Sequence, residues 1–534
     1  MPQADRHKER TIPIEFEFND TLHNLPRNER CSIVLISCGS ATVSINSYVQ
    51  TVSSPAVLCL SQYDTFELVC SDGLSGKTFH FDPWYIKACL KFDNLEDDII
   101  IDERYVYDRH MNAVIAVDED EFNELRKVEK AELAAEKSAV IAKYQKEGLF
   151  KPNVVEKIWH PQTDIVEHHT EKKLQQLTLQ VTQQCNLRCE YCIYSGIYDG
   201  NRTHANKRMN FEVARKAIDF FLEHSIETSD VVIGFYGGEP LLEFELIRRC
   251  VEYANERCEG KRIQYNITTN ATLLKGEVAK FLVEHDFDVS ISLDGSKEEH
   301  NASRKFKNGE GSFDVVIQNL KTMMEKYPEF EKRHISILTT VNPYMDLGCV
   351  LDYFKTSDIL GDKAIMFNTM VPTNLKEDIP YGESYFEIRR FEYVKTLFYL
   401  AGKLDKEYVS KLTSSSVDKV MKMRKALHGR FELPPVIHHG GPCMPGVLRL
   451  FVRCDGALFP CERVNEQLEY YQIGTVNDGF NLKRVKDLLN IGKITEEECK
   501  ECWNLRQCII CSNQIEFHGA DHPSKKNKMA ECEK

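Results

Sequence analysis

Three cysteines within eight residues constrain this 534-residue chain more than any other feature of its sequence. Cys185, Cys189 and Cys192 stand in the run Cys-Asn-Leu-Arg-Cys-Glu-Tyr-Cys, directly after an alternating, strand-like segment at 177–182. Three thiolates can hold three irons of a 4Fe-4S cluster and leave the fourth iron open, whereas an electron carrier supplies four cysteines. A partial zinc site or a set of buried thiols is the alternative, but zinc cysteines usually form two Cys-x-x-Cys pairs and no second pair lies nearby. The spacing therefore favours an iron–sulfur site with an open coordination position.

The cysteine spacing, with Tyr191 before the last cysteine, resembles the signature of the radical S-adenosylmethionine (radical SAM) enzymes. The resemblance implies a SAM-binding 4Fe-4S cluster, bound SAM and an α/β fold built on a partial (βα)6 barrel. The pattern from residue 177 onward agrees, because short apolar runs alternate with amphipathic stretches, as in a parallel sheet with helices between its strands. We expect strands at 177–182, 231–236, 263–268, 288–293, 334–341 and 364–370, and helices at 211–224, 241–257, 277–285 and 313–326.

Polar and glycine residues follow the expected strands, at the sheet edge where ligands of such folds gather. The run Gly237-Gly238-Glu239-Pro240 resembles the family's motif for the methionine amino group: its glycines permit close backbone approach, and Glu239 can accept a hydrogen bond from an amine. Ser290 and Ser292, near the end of the fourth strand, could contact the ribose. The resemblance also implies that the planar guanidinium of Arg304 binds the methionine carboxylate. The full set of expected SAM-binding residues is Gly237, Gly238, Glu239, Pro240, Thr269, Asn270, Ser290, Ser292, Asp294 and Arg304, with Asn342 and Met370 as candidates on the adenine side.

A second group of cysteines near the C-terminus resembles the SPASM domain, which carries auxiliary iron–sulfur clusters in radical SAM enzymes that modify peptides and proteins. Its members are Cys443, Cys454, Cys461, Cys499, Cys502, Cys508, Cys511 and Cys532. The resemblance implies two auxiliary 4Fe-4S clusters, one on Cys443, Cys461 and Cys511 and the other on Cys499, Cys502, Cys508 and Cys532. The family has three residues between the cysteines that correspond to Cys508 and Cys511, and this chain has two.

Cys454 has two interpretations. It either supplies the fourth ligand of the first auxiliary cluster or packs as a core residue on a hairpin strand. In the second case the open iron would bind a substrate thiolate directly. Two zinc knuckles are the alternative for the whole C-terminal set.

Two further regions precede the barrel. The pattern of residues 1–95 predicts an all-β domain, with strands expected at 11–18, 31–37, 41–45, 56–60 and 66–70. The segment at 79–86 resembles the end of the cupin-like sensor domain of arabinose-type transcription regulators. A hairpin at 105–117 and a charged helix at 118–147 are similar to the precursor-binding region of radical SAM peptide maturases, where a leader adds as a strand. A hairpin and helix that brace the barrel is the other interpretation of this second region.

The length of the chain predicts several domains. From the patterns and resemblances above, we expect an all-β cupin-like domain at 1–95, a peptide-recognition-like region at 96–170, a radical SAM barrel at 171–375, a helical linker at 376–440 and a SPASM domain at 441–534. A net charge of −14 argues against a nucleic-acid partner. No apolar run approaches the about eighteen residues of a membrane span, and the N-terminus has no apolar signal region, so we expect a cytoplasmic protein without membrane contact. In that compartment, nineteen cysteines indicate metal ligands and free thiols rather than disulfides.

The sequence favours a radical SAM maturase that forms thioether cross-links in a cysteine-containing precursor peptide with a leader, and the resemblance implies a flavodoxin- or ferredoxin-type reductant. The alternative is an anaerobic sulfatase-type maturase that forms formylglycine, for which Glu462, beside Cys461, would be the base. An ion pair at the rim is the other interpretation of Glu462. An electron carrier or scaffold would need neither the Gly-Gly-Glu-Pro motif nor Arg304.

Overall fold

The computed structural model describes five strands between residues 14 and 81 and residues 104–533, except 259, 361–362, 371–373, 401, 414–431 and 518–519. The chain divides into two units. One comprises Met1–Arg104, Ala116–Glu119 and Gly382–Val417, and the other comprises Tyr105–Ile115, Asp120–Tyr381 and Asp418–Lys534.

The first unit contains an antiparallel five-stranded sheet. Its strands are β1 (Ile14–Asn19), β2 (Cys31–Ile45), β3 (Tyr48–Ser53), β4 (Ala56–Leu60) and β5 (Phe66–Phe81), in the order β1-β5-β2-β3 with β4 paired to β2. The two strands expected at 31–37 and 41–45 are one strand, because register shifts near Cys38 absorb the predicted turn as bulges in the β2–β5 ladder. The β character of this region is confirmed, and its likeness to a cupin stays a prediction.

A parallel sheet of six adjacent strands organises the second unit, as the sequence predicts. The strands are β9 (Gln176–Thr182), β10 (Asp230–Gly237), β11 (Arg262–Thr269), β12 (Asp288–Ser292), β13 (Ile335–Val341) and β14 (Ile365–Thr369), numbered after the short strands β6 (Arg104–Asp108), β7 (Ala113–Val117) and β8 (Lys157–Ile158). Helices connect the strands in the repeated strand–helix order of a partial barrel. This part of the fold class is confirmed.

The C-terminal segment extends the barrel sheet beyond β9. After β15 (Val436–Ile437), which pairs with β8, come β16 (Leu450–Val452), β17 (Ala457–Phe459), β18 (Gly474–Thr475) and β19 (Gly479–Phe480). β16 lies parallel to β9, and the following strands pair antiparallel in sequence order. The cysteine-rich segment is therefore built onto the edge of the barrel sheet.

The described α-helices follow in chain order. They are Glu119–Glu129, Ala139–Lys146, Val166–Lys172, Phe211–Glu223, Phe244–Arg257, Gly276–Glu284, Lys297–Ser303, Phe313–Lys326, Pro328–His334, Leu347–Thr356, Glu383–Leu400, Leu482–Leu489, Glu496–Glu501 and Lys525–Cys532.

One predicted helix is divided. The span 118–147 forms two helices, Glu119–Glu129 and Ala139–Lys146, because the backbone turns left-handed at Ala131 (φ 57°) and Ser138 caps the second helix. The hydroxyl of Ser138 accepts a hydrogen bond from the backbone N–H three residues on, at 3.1 Å.

The two faces of the barrel strands differ in polarity. Leu177, Leu179 and Val181 of β9 are fully buried in the hydrophobic core that the helices cover. Because side chains alternate along a strand, the intervening positions face the interior of the barrel. On the neighbouring strands those positions are polar and partly accessible: Gln264, Asn266, Thr268, Ser290, Ser336 and Thr340. The barrel interior is therefore a polar space that solvent reaches.

Two arginines join the β6–β7 hairpin to the cysteine-rich segment. Arg109, in the hairpin loop, donates to the carbonyls of Cys502 and Lys500 at 2.7 and 2.8 Å. Arg506 donates in return to the carbonyls of Arg109 and His110, both at 2.7 Å. The loop of the hairpin is thus fixed directly to the backbone around Cys502.

Candidate active site

The Gly-Gly-Glu-Pro motif lies directly against the backbone at the end of β9. The backbone N–H of Gly238 donates to Thr182 O at 3.0 Å, and that of Glu239 donates to Gln184 O at 2.8 Å. A Cβ on Gly237 would lie 2.1 Å from Thr182 O and one on Gly238 would lie 2.0 Å from Gln184 O, so only glycine allows this approach. The motif is therefore bonded to the residue that precedes the first cysteine of the triad.

The carboxylate of Glu239 is buried and largely saturated by protein donors. Oε1 accepts from Leu241 N at 3.1 Å and from the Thr269 hydroxyl at 2.7 Å, and Oε2 accepts from Asn270 N at 2.8 Å. Burial raises the pKa of Glu239 to about 7, against the opposing effect of these hydrogen bonds. Since a carboxylate has about four acceptor positions, one remains for a ligand donor such as an amine.

The three cysteines of the triad lie together at the ends of β9 to β12. Burial raises the pKa of Cys185 and Cys189 to about 12 and also raises that of Cys192, and each sulfur is an electrostatic neighbour of another of the three. Donors reach all three sulfurs: Asn270 Nδ2 lies 3.9 Å from Cys185 Sγ, Arg304 Nη1 lies 4.0 Å from Cys189 Sγ, and Tyr194 N lies 3.4 Å from Cys192 Sγ. One buried and two half-buried cysteines with N–H donors at their sulfurs fit a 4Fe-4S cluster, whose potential such hydrogen bonds adjust.

A buried ion pair joins the triad to the sheet. Asp294, after β12, accepts from Arg304 Nε at 2.6 Å, from the Tyr191 hydroxyl at 2.5 Å and from Thr340 N at 2.9 Å. Because Tyr191 immediately precedes Cys192, the carboxylate of Asp294 positions the cysteine loop. The role of Tyr191 is not evident from the sequence, since its partner lies 103 residues away.

The remaining expected SAM-binding residues lie toward the same edge of the sheet and differ in their burial and hydrogen bonds. Pro240 begins a buried turn of 3-10 helix (Pro240–Glu243), and Ser292 is buried. The hydroxyl of Ser290 pairs with that of Ser336 at 3.1 Å. Asn342 and Met370 are buried at the ends of β13 and β14.

The C-terminal cysteines separate into two groups by electrostatic proximity. Cys443, Cys461 and Cys511 influence one another and are called here the first auxiliary group. Cys499, Cys502, Cys508 and Cys532 do the same and are called the second auxiliary group. This division matches the two ligand sets that the sequence predicts. Within the described part of the chain, no three His, Cys, Asp or Glu side chains converge tightly enough for a single metal ion.

Cys454 does not join the first auxiliary group. Its Sγ donates to Gln180 O at 3.0 Å, and its electrostatic neighbours are Glu466, Arg202 and Asp455 rather than other cysteines. The structure thus places this predicted ligand against β9, as a packed thiol.

A buried polar network beside Cys454 was not predicted from the sequence. Glu466 accepts from Arg202 Nε at 2.6 Å, from Gln180 Nε2 at 2.5 Å and from Gln183 Nε2 at 3.2 Å. Its members lie up to 286 residues apart, and the one available sequence signal was Gln180 on a strand with an apolar face, with Gln183 just after that strand.

Glu462, directly after Cys461, is half of an ion pair. Its Oε1 accepts from Arg449 Nη1 at 2.6 Å, while its Oε2 is buried without a partner among the described residues. After the larger effect of burial, Glu462 also raises the pKa of Tyr236, so the two side chains are near neighbours. The rim ion pair that the sequence suggested is present, and a free carboxylate oxygen accompanies it.

Comparison with known proteins agrees with this geometry. Residues 179–351 match the radical SAM superfamily. An uncharacterized protein of Methanocaldococcus jannaschii is 35% identical over 199 residues, which are 37% of this chain and 64% of that protein, slightly less than two thirds of its length. A cysteine-type anaerobic sulfatase-maturating enzyme of Clostridium novyi is 26% identical over 352 residues, 62% of this chain and 85% of that enzyme. The solved structure of anSMEcpe with bound AdoMet superposes with a TM-score of 0.50 at 23% identity, covers 67% of this chain and 94% of that one, and supports the fold.

A barrel of six parallel strands with a three-cysteine loop after the first strand agrees with the match to the radical SAM superfamily. The chain contains a radical SAM domain at residues 179–351 and uses a 4Fe-4S cluster and SAM. No helix among the described residues is both long and apolar enough to span a membrane.

Proposed function

We propose that this enzyme cleaves SAM reductively and forms thioether cross-links in a cysteine-containing precursor peptide. With its cofactors bound, the site supplies an electron that splits SAM and a radical that removes a hydrogen atom from the substrate. The chain's own residues bind and orient: Cys185, Cys189 and Cys192 hold the cluster, Glu239 receives the methionine amine, and Arg304 fixes the cysteine loop through Asp294.

The observation that carries the thioether reaction is the incomplete ligand set of the first auxiliary group. Three thiols form it, and Cys454, the expected fourth, is bonded to Gln180 instead. A cluster held there would keep an iron for a thiolate from the substrate, because such an iron favours thiolate over thiol. A substrate cysteine bound in this way would lose its thiol proton and present its sulfur to a carbon radical, and the one electron released as the carbon–sulfur bond forms would pass to the oxidised cluster.

The precursor peptide would enter by way of the β6–β7 hairpin. Among the described strands, β6 and β7 pair only with each other, so each has an unpaired edge to which a leader strand can add. Arg109 fixes the hairpin loop to the carbonyl of Cys502, which supports a route from the leader site toward the second auxiliary group. We place the reaction in the cytoplasm, with a flavodoxin- or ferredoxin-type protein as the reductant.

Formylglycine formation is the second candidate, and Glu462 is the observation that favours it. Its unpartnered, buried oxygen is suited to accept a proton. The relatives that are named as sulfatase-maturating enzymes point the same way.

Mass spectrometry of a cysteine-containing precursor peptide, coexpressed anaerobically with the enzyme, tests the proposal. Each thioether link removes two hydrogens and protects one cysteine from alkylation, whereas formylglycine replaces the thiol sulfur by a carbonyl oxygen. We expect C185A and C461A to leave the peptide unmodified, and C349A, at an exposed cysteine outside all three groups, to modify it fully. A carbonyl product, or cross-linking that persists in C185A, would contradict the thioether proposal.

A further inference from the structure

We propose that the buried ammonium of Lys528, with the neighbouring imidazole of His439, compensates the negative charge of a cluster on the second auxiliary group and favours its reduced form. The inference rests on the proposed auxiliary clusters and goes beyond them, because it assigns residues that are not ligands a role in setting a reduction potential.

Lys528 is the clearest sign that the second auxiliary group holds an anion. It lies on the helix Lys525–Cys532 and is fully buried, and its Nζ donates to the Thr495 hydroxyl at 2.6 Å and to Cys499 Sγ at 3.5 Å. Among the described residues no carboxylate lies within ion-pair distance of Lys528. Glu498, whose pKa is lowered first by its hydrogen bond with Lys525 and to a smaller extent by the charge of Lys528, is paired with Lys525. A buried ammonium without an ion-pair partner is unfavourable, so an anion beside it would stabilise the fold.

The charge of Lys528 also reaches two other sulfurs of the second auxiliary group, those of Cys508 and Cys532. Burial raises the pKa of the Cys508 and Cys532 thiols, and Lys528 opposes that rise at both. Four thiolates around an iron–sulfur core carry a net negative charge, which is the partner that the ammonium lacks.

His439 is a second observation near Lys528, whose charge acts on its ring. Its imidazole is 1% exposed, and neither ring nitrogen has a hydrogen-bond partner among the described residues. Burial, followed by His438 and Lys528, lowers the pKa of His439 to about 2, so the ring is neutral and carries one N–H. Buried polar groups are nearly always hydrogen-bonded, so this N–H donor calls for an acceptor that the described residues do not supply.

The position of His439 is fixed by its neighbours rather than by its own ring. His438 Nε2 accepts from Gly492 N at 2.8 Å, and a Cβ on Gly441 would lie 2.1 Å from Ile510 O. The segment that carries His439 is therefore packed against the backbone that separates Cys508 from Cys511.

The consequence is a higher reduction potential at the second auxiliary group. Potentials of iron–sulfur clusters depend on net charge, on hydrogen bonds to sulfur and on solvent exposure. One electron, taken from an external reductant, makes the cluster more negative by one charge, and a fixed ammonium stabilises that state. The ammonium and the imidazole N–H thus both act in favour of reduction.

Redox titration followed by electron paramagnetic resonance tests this inference on the reconstituted full chain. We expect K528Q to shift the one-electron reduction equilibrium at least tenfold toward the oxidised form, a potential about 59 mV lower. K528R keeps the charge and should stay near the wild type. K526Q removes an exposed lysine of the same helix and should leave the potential unchanged. H439F should lower the potential by removing the N–H donor.

The outcomes distinguish a failure of the inference about Lys528 from a failure of the proposal that the second auxiliary group holds a cluster. Full iron content in K528Q with an unchanged potential would overturn the role of Lys528. Loss of the cluster in K528Q with retention in K528R would support charge compensation, and loss in both variants would overturn it. If C499A removes no iron from the wild-type complement, the proposed auxiliary cluster itself fails.

Discussion

Replacing Asp294 by Asn should weaken the barrel more than any other single charge removal on its strands. Asp294 is fully buried, and its carboxylate neutralises Arg304 while it accepts from Tyr191 and Thr340. Asn keeps the shape and one acceptor, but it leaves the guanidinium buried without its counter-charge. Removal of one partner of a buried pair costs about 3–5 kcal/mol, so we expect a loss of that size in the free energy of unfolding.

Anaerobic urea denaturation, combined with hydrogen exchange of peptides from β12 and β13, measures this loss. D288N is the matched control, because Asp288 begins β12, the strand that Asp294 follows, and has a side chain that is 54% exposed and pairs with His334 at 3.0 Å. A surface change of this kind should cost no more than about 0.5 kcal/mol. Equal losses in D294N and D288N would refute the claim that the Asp294–Arg304 pair holds the cysteine loop.

Three further predictions concern the site. G238A should abolish SAM binding and cluster retention, because its Cβ would lie 2.0 Å from Gln184 O, and normal iron content in this variant would contradict the packing argument. SAM affinity should rise as the pH increases through about 7, where Glu239 ionises, and equilibrium binding should show no such rise in E239Q; an identical profile in both would exclude the carboxylate. C454A should keep the iron content of the wild type while C461A loses iron; equal losses by iron analysis would make Cys454 a ligand.

The pKa of Glu239 also affects stability, with the opposite sign. Burial raises this pKa from 4.5 to about 7 in the folded chain, so the protonated form is favoured by folding. The contribution to stability is fully present below about pH 4.5 and is lost as the pH rises through about 7. The carboxylate that binds the ligand amine is therefore formed at a cost in stability.

The barrel could be predicted from the sequence because each strand carries its own signal. The alternation at 231–236 and 263–268 reflects one face buried under helices and one face in the interior, and β10 and β11 extend those segments by one residue at each end. Local patterns also placed the Gly-Gly-Glu-Pro motif and the cysteine triad at the right strand ends.

Features that depend on distant partners were not predictable. The sequence shows Tyr191 as part of the cysteine motif but not Asp294 beside its hydroxyl. It leaves Cys454 open between a ligand and a core residue, because it does not show Gln180 across the β9–β16 pairing. The break in the helix at 118–147 was signalled by Ser138, a favourable cap, but the continuous charged pattern outweighed it.

Transfer of deuterium from the peptide to SAM-derived 5′-deoxyadenosine tests the central claim most directly. The precursor peptide would carry deuterium on its carbon atoms, and the reaction would run anaerobically with excess reductant. The proposed function predicts deuterated 5′-deoxyadenosine in step with the loss of a cysteine thiol and the appearance of a thioether link. Formation of 5′-deoxyadenosine without deuterium, beside a peptide of unchanged mass, would contradict it.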